Sequence, residues 1–273
     1  MDWLIKTCEI ILVVLYITST IVYVRDFLKS TDRTELACSL LIRATLVCHI
    51  AYLVLLAVTT SRNPVVNFYE FLSTLALGLL AVYLYLEIRF KNRSLGPLVL
   101  GFATVAKVVS VIFSTHPMGT EIEPVLKSGW FLLHQVILPL GFASLLISAI
   151  FSTMYLVLQR SLKRKQFDIF FKRFLPLATL GEMNYQALLT GVILLFLNIP
   201  VAFIMVYRFN NGAWDFQYCM FFTYFVVYFA GVLLGKYAGW QGQRLAYYSL
   251  FSLLLMVMAT FAAKVYTIRH DWF

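Results

Sequence analysis

The chain has 273 residues, of which 61% are hydrophobic and 13% charged, with a mean hydropathy of +0.83. A water-soluble domain carries about 25% charged residues and cannot bury this much apolar surface, whereas a bilayer interior accommodates it. The net charge of +9 comes from basic residues in short segments between apolar runs, not from one basic domain, which argues for membrane topology and against a nucleic-acid partner.

A helix needs about 20 apolar residues to cross a bilayer. Eight runs qualify: 8–24, 36–58, 68–88, 97–114, 130–158, 185–206, 218–235 and 245–263. The first ends on Arg25-Asp26, with no small-x-small cleavage site, and reads as a retained first helix. The alternation that marks membrane β-strands is absent from all eight. The expected fold is therefore all-α: a polytopic bundle of about eight transmembrane helices, forming a single domain over 1–273.

Orientation follows from the basic residues of the connections. One side holds fourteen: Arg25, Lys29, Arg33, Arg89, Lys91, Arg93, Arg160, Lys163, Arg164, Lys165, Lys172, Arg173, Lys236 and Arg244. The other holds six: Lys6, Arg62, Lys127, Arg208, Lys264 and Arg269. The richer side is the cytoplasmic one, which puts both termini on the non-cytoplasmic face. Within the basic loop 159–176, Phe167, Phe170, Phe171 and Phe174 fall on one helical face. That spacing predicts an amphipathic helix on the cytoplasmic leaflet, with a solvated loop as the alternative.

The four cysteines, Cys8, Cys38, Cys48 and Cys219, form no CxxC pair. They are expected as buried free thiols, with a Cys8–Cys219 bridge as the alternative. His116, His134, Trp130, Trp214, Asp215 and His270 all fall in or beside the non-cytoplasmic connections and tail. Histidine is the commonest axial ligand of haem iron and aromatic rings suit a porphyrin face. An aromatic belt anchoring helix ends would use the same residues. Arg43, His49 and Lys107 lie inside spans, where a cation costs about 2.5–3.5 kcal/mol and is normally paired or lines a cavity. Arg43 can snorkel to the interface. For Lys107 the candidate partners are Glu70 or an anionic ligand group. HExxH, GxSxG, Walker and kinase motifs are missing, and Glu121 and Asp215 have no close carboxylate partner. The polypeptide is expected not to be an enzyme.

Four segments carry a resemblance. Asn67-Phe68-Tyr69-Glu70 opens the third run, and Trp130-Phe131-Leu132-Leu133-His134 opens the fifth. Trp214-Asp215 lies between the sixth and seventh, and Gly239-Trp240-Gln241-Gly242, followed by Arg244, precedes the eighth. Their order and sidedness resemble the integral-membrane cytochrome c assembly family, the CcsA/ResC/CcmC group, and especially its smaller HemX-like and YpjD-like members. The resemblance implies a multi-pass protein of a bacterial cell (inner) membrane that binds or presents haem near the outer face. It implies His134 as the ligand of the haem iron, Trp214 and Trp130 flanking the porphyrin, and His49 and Lys107 lining the interior. Asp215 and Glu70 are the acids expected to orient the ligand. The implied partners are haem, the lipid bilayer, and a cytochrome c assembly partner or a haem-synthesis enzyme. Two other functions are open: a HemX-like regulator of tetrapyrrole synthesis acting through protein interaction, and a small-solute transporter using Lys107 and Glu70.

Overall fold

The computed structural model describes residues 2–65, 67–113, 127–165, 175–209 and 216–270. Among the described residues every regular element is helical. In chain order these are α1 (Asp2–Leu28), α2 (Asp32–Thr60), α3 (Phe68–Phe90), α4 (Gly96–Phe113), α5 (Gly129–Lys163), α6 (Leu177–Phe209), α7 (Phe216–Tyr237) and α8 (Gln243–His270). Each of the eight apolar runs falls on one helix. Seven helices, all but α8, are long and apolar enough to cross a bilayer. The 28 residues of α8 reach about 42 Å at about 1.5 Å per residue, also a spanning length. The protein is a polytopic membrane helix bundle.

Helix boundaries follow from local chemistry. Thr31 caps α2 in a reciprocal box: its hydroxyl accepts from the Thr34 backbone N–H, and the Thr34 hydroxyl accepts from the Thr31 N–H. Asn67 caps α3, its side-chain oxygen accepting from the Glu70 N–H at 2.8 Å. Ser61 and Lys91 end α2 and α3 in the left-handed conformation that closes many helices.

The chain packs as two compact units, 1–143 and 144–273, dividing within α5. In the first, α1 lies against α2 and α4, and α3 against α4 and α2. The buried side of α1 is Ile5, Glu9, Leu12, Tyr16, Ser19, Tyr23 and Asp26; that of α2 is Cys38, Ile42, Thr45, His49, Tyr52 and Leu56. Both step by fours and threes, the narrow seam of coiled-coil packing, while Ile10, Val14, Ile17 and Ile21 point outward, where lipid accepts them. The seams mix polar with apolar side chains. In hydrocarbon, close packing and side-chain hydrogen bonds associate helices where apolar burial cannot. Gly96 lets α4 begin against α1 and α3, since a Cβ there would collide with the Tyr23 ring and come within 2.8 Å of Tyr83 Oη.

In the second unit α6 packs on α7 and α8, and α7 on α8. Ser148 Oγ donates to Asn184 Oδ1 at 2.6 Å and lies 3.3 Å from Ser249 Oγ, joining α5, α6 and α8. The α7–α8 connection is the Gly-Trp-Gln-Gly segment. Gly239 and Gly242 take φ of +64° and +60°, which glycine adopts without a Cβ penalty. The N–H groups of Ala238 and Trp240 both return to the Leu234 carbonyl at 3.1 Å, capping α7. All four cysteines are free thiols; Cys38 is buried, Cys8 partly so, and Cys48 and Cys219 exposed, so the expectation of burial holds for Cys38.

Candidate functional site

One end of the first unit is organised around the short link between α2 and α3. Capping by Asn67 puts Glu70 in the first turn of α3, where its carboxylate takes both arms of the Arg62 guanidinium, at 2.7 and 3.1 Å. The two side chains are 7% and 5% exposed, and the bidentate geometry suits a buried pair. Arg62 also donates to the Asn63 carbonyl. The Asn63 amide in turn donates to the Ser128 carbonyl at 3.1 Å, while the Ser128 hydroxyl accepts from the Trp130 N–H at 3.2 Å. The Asn67–Glu70 segment and the start of α5, far apart in sequence, are thereby tied together. Trp130 is 37% exposed and His134 half-buried, one turn further on. Leu132, Leu133 and Val136 are exposed around them. Gln135 Oε1 is buried without a hydrogen-bond partner among the described residues.

A second constellation lies inside the same unit. His49 Nδ1 is 2.8 Å from Tyr16 Oη and Nε2 is 3.1 Å from Ser73 Oγ. Lys107, 0% exposed, donates to the same Ser73 oxygen at 2.9 Å, and its ammonium sits 4.7 Å from the centre of the Tyr52 ring. Tyr52 Oη donates to Glu9 at 2.7 Å. All six groups are buried and come from four helices.

At the opposite end Tyr23 Oη donates to Glu87 at 2.7 Å, and Arg93 joins Glu87 and Glu35, each at 3.1 Å. Burial works against the charge on Arg93, but hydrogen bonds and charge from the two glutamates outweigh it and raise the pKa above its ordinary value. Thr34 donates to Asp26 beside it.

The residues singled out in the sequence therefore part company. His49 and Lys107 meet through Ser73. Glu70 is clamped by Arg62, a loop arginine that sequence reasoning passed over, and Lys107 donates its hydrogen bond to the Ser73 hydroxyl. Arg43 lies on the exposed side of α2. The side of α5 that meets Gly78 of α3 is Pro139, Leu140 and Ala143. His134 lies about 140° round the helix from Pro139, at 3.6 residues per turn. Trp214, Asp215, His116 and the phenylalanines of loop 159–176 lie outside the described residues, as does the side chain of His270. Tyr16, Ser73, Tyr52 and Glu9 were missed; the heptad spacing of Glu9 and Tyr16 along α1 was the available signal. Among the described residues no three His, Cys, Asp or Glu side chains gather as a metal cluster.

In the second unit the Gly-Trp-Gln-Gly turn borders a cavity of ≈ 480 Å³ walled by Tyr155, Tyr185 and Trp240, with Gly181 and Gly242 giving it room and Lys236 at its rim.

Comparison with known proteins bears on the identity of these segments. The "Cytochrome c biogenesis protein CcsA" of Heterosigma akashiwo is 34% identical over 107 residues, covering 37% of this chain and 32% of that protein. The protein of the same name from Chlorella vulgaris is 31% identical over 123 residues, covering 43% and 38%. These two matches span about a third of the relatives' own length. "Protein HemX" of Brevibacillus brevis is 27% identical over 194 residues, covering 70% of each chain. The profile of the family described as "Cytochrome C assembly protein" matches residues 38–270. With that match running through α2 to α8, the chain belongs to the cytochrome c assembly protein family.

Proposed function

We propose that this membrane protein binds or presents haem near its non-cytoplasmic face, at the first turns of α5. The observation that carries the reading is the Asn63–Ser128 bond, which joins the Asn67–Glu70 segment to the Trp130–His134 segment at one end of the first unit. The family and the relatives' names support a role in cytochrome c maturation. The residues present fit the group: a half-buried imidazole stands among exposed apolar side chains and an indole, and Gln135 Oε1 beside them has no hydrogen-bond partner among the described residues. When bound, haem would supply an iron centre that an imidazole nitrogen can ligate. His134 is the residue that would hold it, with Trp130 along the porphyrin; the resemblance adds Trp214 beside the porphyrin and Asp215 to orient the imidazole, both outside the described residues. His49 fits the role less well, because hydroxyls engage both of its ring nitrogens. Glu70 acts at one remove, by fixing Arg62 and the link to Ser128. The polypeptide performs no bond chemistry of its own; it binds, orients and excludes water. A bacterial cell membrane is the expected location.

The test is haem titration of the detergent-purified chain. Wild type is expected to develop a Soret band that His134→Ala abolishes or strongly shifts, with His116→Ala and His270→Ala doing less.

A second reading is favoured by the 70% coverage of the HemX relative: an interaction protein that regulates haem synthesis through the basic loop 159–176. Crosslinking from that loop should then recover a cytoplasmic haem-synthesis enzyme. Loss of that product on replacing the loop's basic residues would favour it, and a chain with no cytoplasmic partner would exclude it. The transporter reading loses its simplest form, since Glu70 is committed to Arg62 and does not stand as an open site with Lys107.

A further inference from the structure

The interior of the first unit holds more polar machinery than the haem reading uses. Glu9 and Tyr52 stand toward one end, then Lys107, Ser73, His49 and Tyr16 in hydrogen-bonded sequence. Next come two hydroxyl pairs, Thr20 with Thr104 at 2.8 Å and Ser19 with Thr45 at 3.0 Å. Tyr23 and Glu87 follow, and Arg93 and the 53%-exposed Glu35 complete the series at the other end. A polar core that only fixed helix register would need one satisfied pair. This one runs the length of the seam, with a carboxylate near each end.

We propose that the α1–α4 unit is a proton pathway across the membrane, in which His49 relays between Ser73 and Tyr16 and Glu9 and Glu87 are the end stations. Every member from Ser73 to Tyr16 can donate and accept through the same group. In one arrangement Lys107 donates to Ser73, Ser73 to Nε2, and Nδ1–H to Tyr16. One concerted shift moves the Lys107 proton to Ser73, the Ser73 proton to Nε2, the Nδ1 proton to Tyr16, and the Tyr16 hydroxyl proton to a water molecule that has entered the interval beyond it. Lys107 is left as the neutral amine, His49 as the other tautomer, and one proton has left beyond Tyr16. No heavy-atom bond changes and no electron moves. Lys107 regains its proton from the Glu9–Tyr52 side, and rotation of the hydroxyls resets the chain. The ionisable groups facing His49 are Tyr16 and Glu9 from α1, Tyr52 from its own helix, Glu70 with Arg62 by way of α3, and Lys107 from α4. From Tyr16 to Tyr23 the path covers about 10 Å of helix axis at about 1.5 Å per residue. That interval is lined by four hydroxyls, and a proton crosses it only when water joins them. The interval limits the rate and keeps the pathway from being an open leak. Intramembrane chains of carboxylates and histidine serve proton relay in other membrane proteins.

This inference does not depend on haem binding and is tested separately. The full chain is reconstituted into vesicles loaded with a pH-sensitive dye, and a potassium diffusion potential is imposed with valinomycin. Wild type is expected to change the internal pH several-fold faster than protein-free vesicles. His49→Gln keeps an amide for each neighbour but cannot exchange tautomers, and is expected to fall to the protein-free rate. Arg43→Gln, on the exposed side of α2, should conduct like wild type. Ser73→Ala and Tyr16→Phe, each removing one hydroxyl, should give the same loss and stand in should His49→Gln fail to elute as folded protein. A wild-type rate equal to that of protein-free vesicles overturns the proposal. So does folded His49→Gln, or folded Ser73→Ala with Tyr16→Phe, conducting at the wild-type rate.

Discussion

Arg62 and Glu70 are oppositely charged, buried and joined by two hydrogen bonds. Such a pair contributes little over an apolar pair of the same volume, but removing one partner strands the other charge at a cost of about 3–5 kcal/mol. Arg62→Ala is therefore expected to lower the midpoint of thermal unfolding in detergent markedly, and Arg62→Lys to recover part of it, since lysine gives up the bidentate fork. An unchanged midpoint for Arg62→Ala would contradict the clamp. At Lys107 the zero exposure removes snorkelling as an explanation. Lys107→Ala should reduce yield and stability, by losing the bond to Ser73 and the contact with the Tyr52 ring. A Lys107→Met chain matching wild type in both stability and function would mean that the ammonium is dispensable. His49, Lys107 and Glu70 were legible from sequence because polar side chains in or at the ends of apolar runs cost energy and so need partners. Their partners were not, because serine and tyrosine are ordinary in membrane helices and only three-dimensional packing shows which of them meet.

Among the elements, α3 depends most visibly on its first turn. Asn67→Ala should remove the cap at a cost of about 1 kcal/mol, and Asn67→Asp should retain it. Because the same turn aims Glu70 at Arg62, the alanine variant is also expected to speed the thiol labelling of a cysteine placed at Ser128. Equal stability of the alanine and aspartate variants would show that the cap is idle. Helix existence and order were readable from hydropathy, whereas boundaries were less so. Span 8–24 grew to Asp2–Leu28, because Lys6 and Arg25-Asp26 bounded the apolar run although Asp26 accepts from Thr34 of α2. Span 185–206 grew to Leu177–Phe209, because Glu182 and Asn184 dilute the apolar run although Asn184 is a core partner of Ser148. Polar residues end a hydropathy window but not a helix, provided that a neighbouring helix satisfies them.

For the whole molecule the orientation rests on basic residues. Arg25, Lys29, Arg33, Arg89, Lys91 and Arg93 border the end of the first unit where α1 and α3 finish, and the Arg62–Ser128 link lies where α3 and α5 begin. Cysteine at Ser128 or Asn210 should react with an impermeant thiol reagent from outside, and cysteine at Ser94 or Ser161 should not. The reverse pattern would place the α5 start in the cytoplasm and remove the outer-face reading.

The most direct measurement of the central claim is the Soret spectrum of the purified chain after haem addition, wild type beside His134→Ala. If the His134 imidazole on the first turns of α5 holds the haem, wild type shows a band that is lost or strongly shifted in the variant. Changes at Asp215 or Glu70 should weaken binding without eliminating it, because such groups orient the site and do not touch the iron. No band in wild type, or an undiminished band in His134→Ala, would contradict the account and leave the regulatory reading in its place.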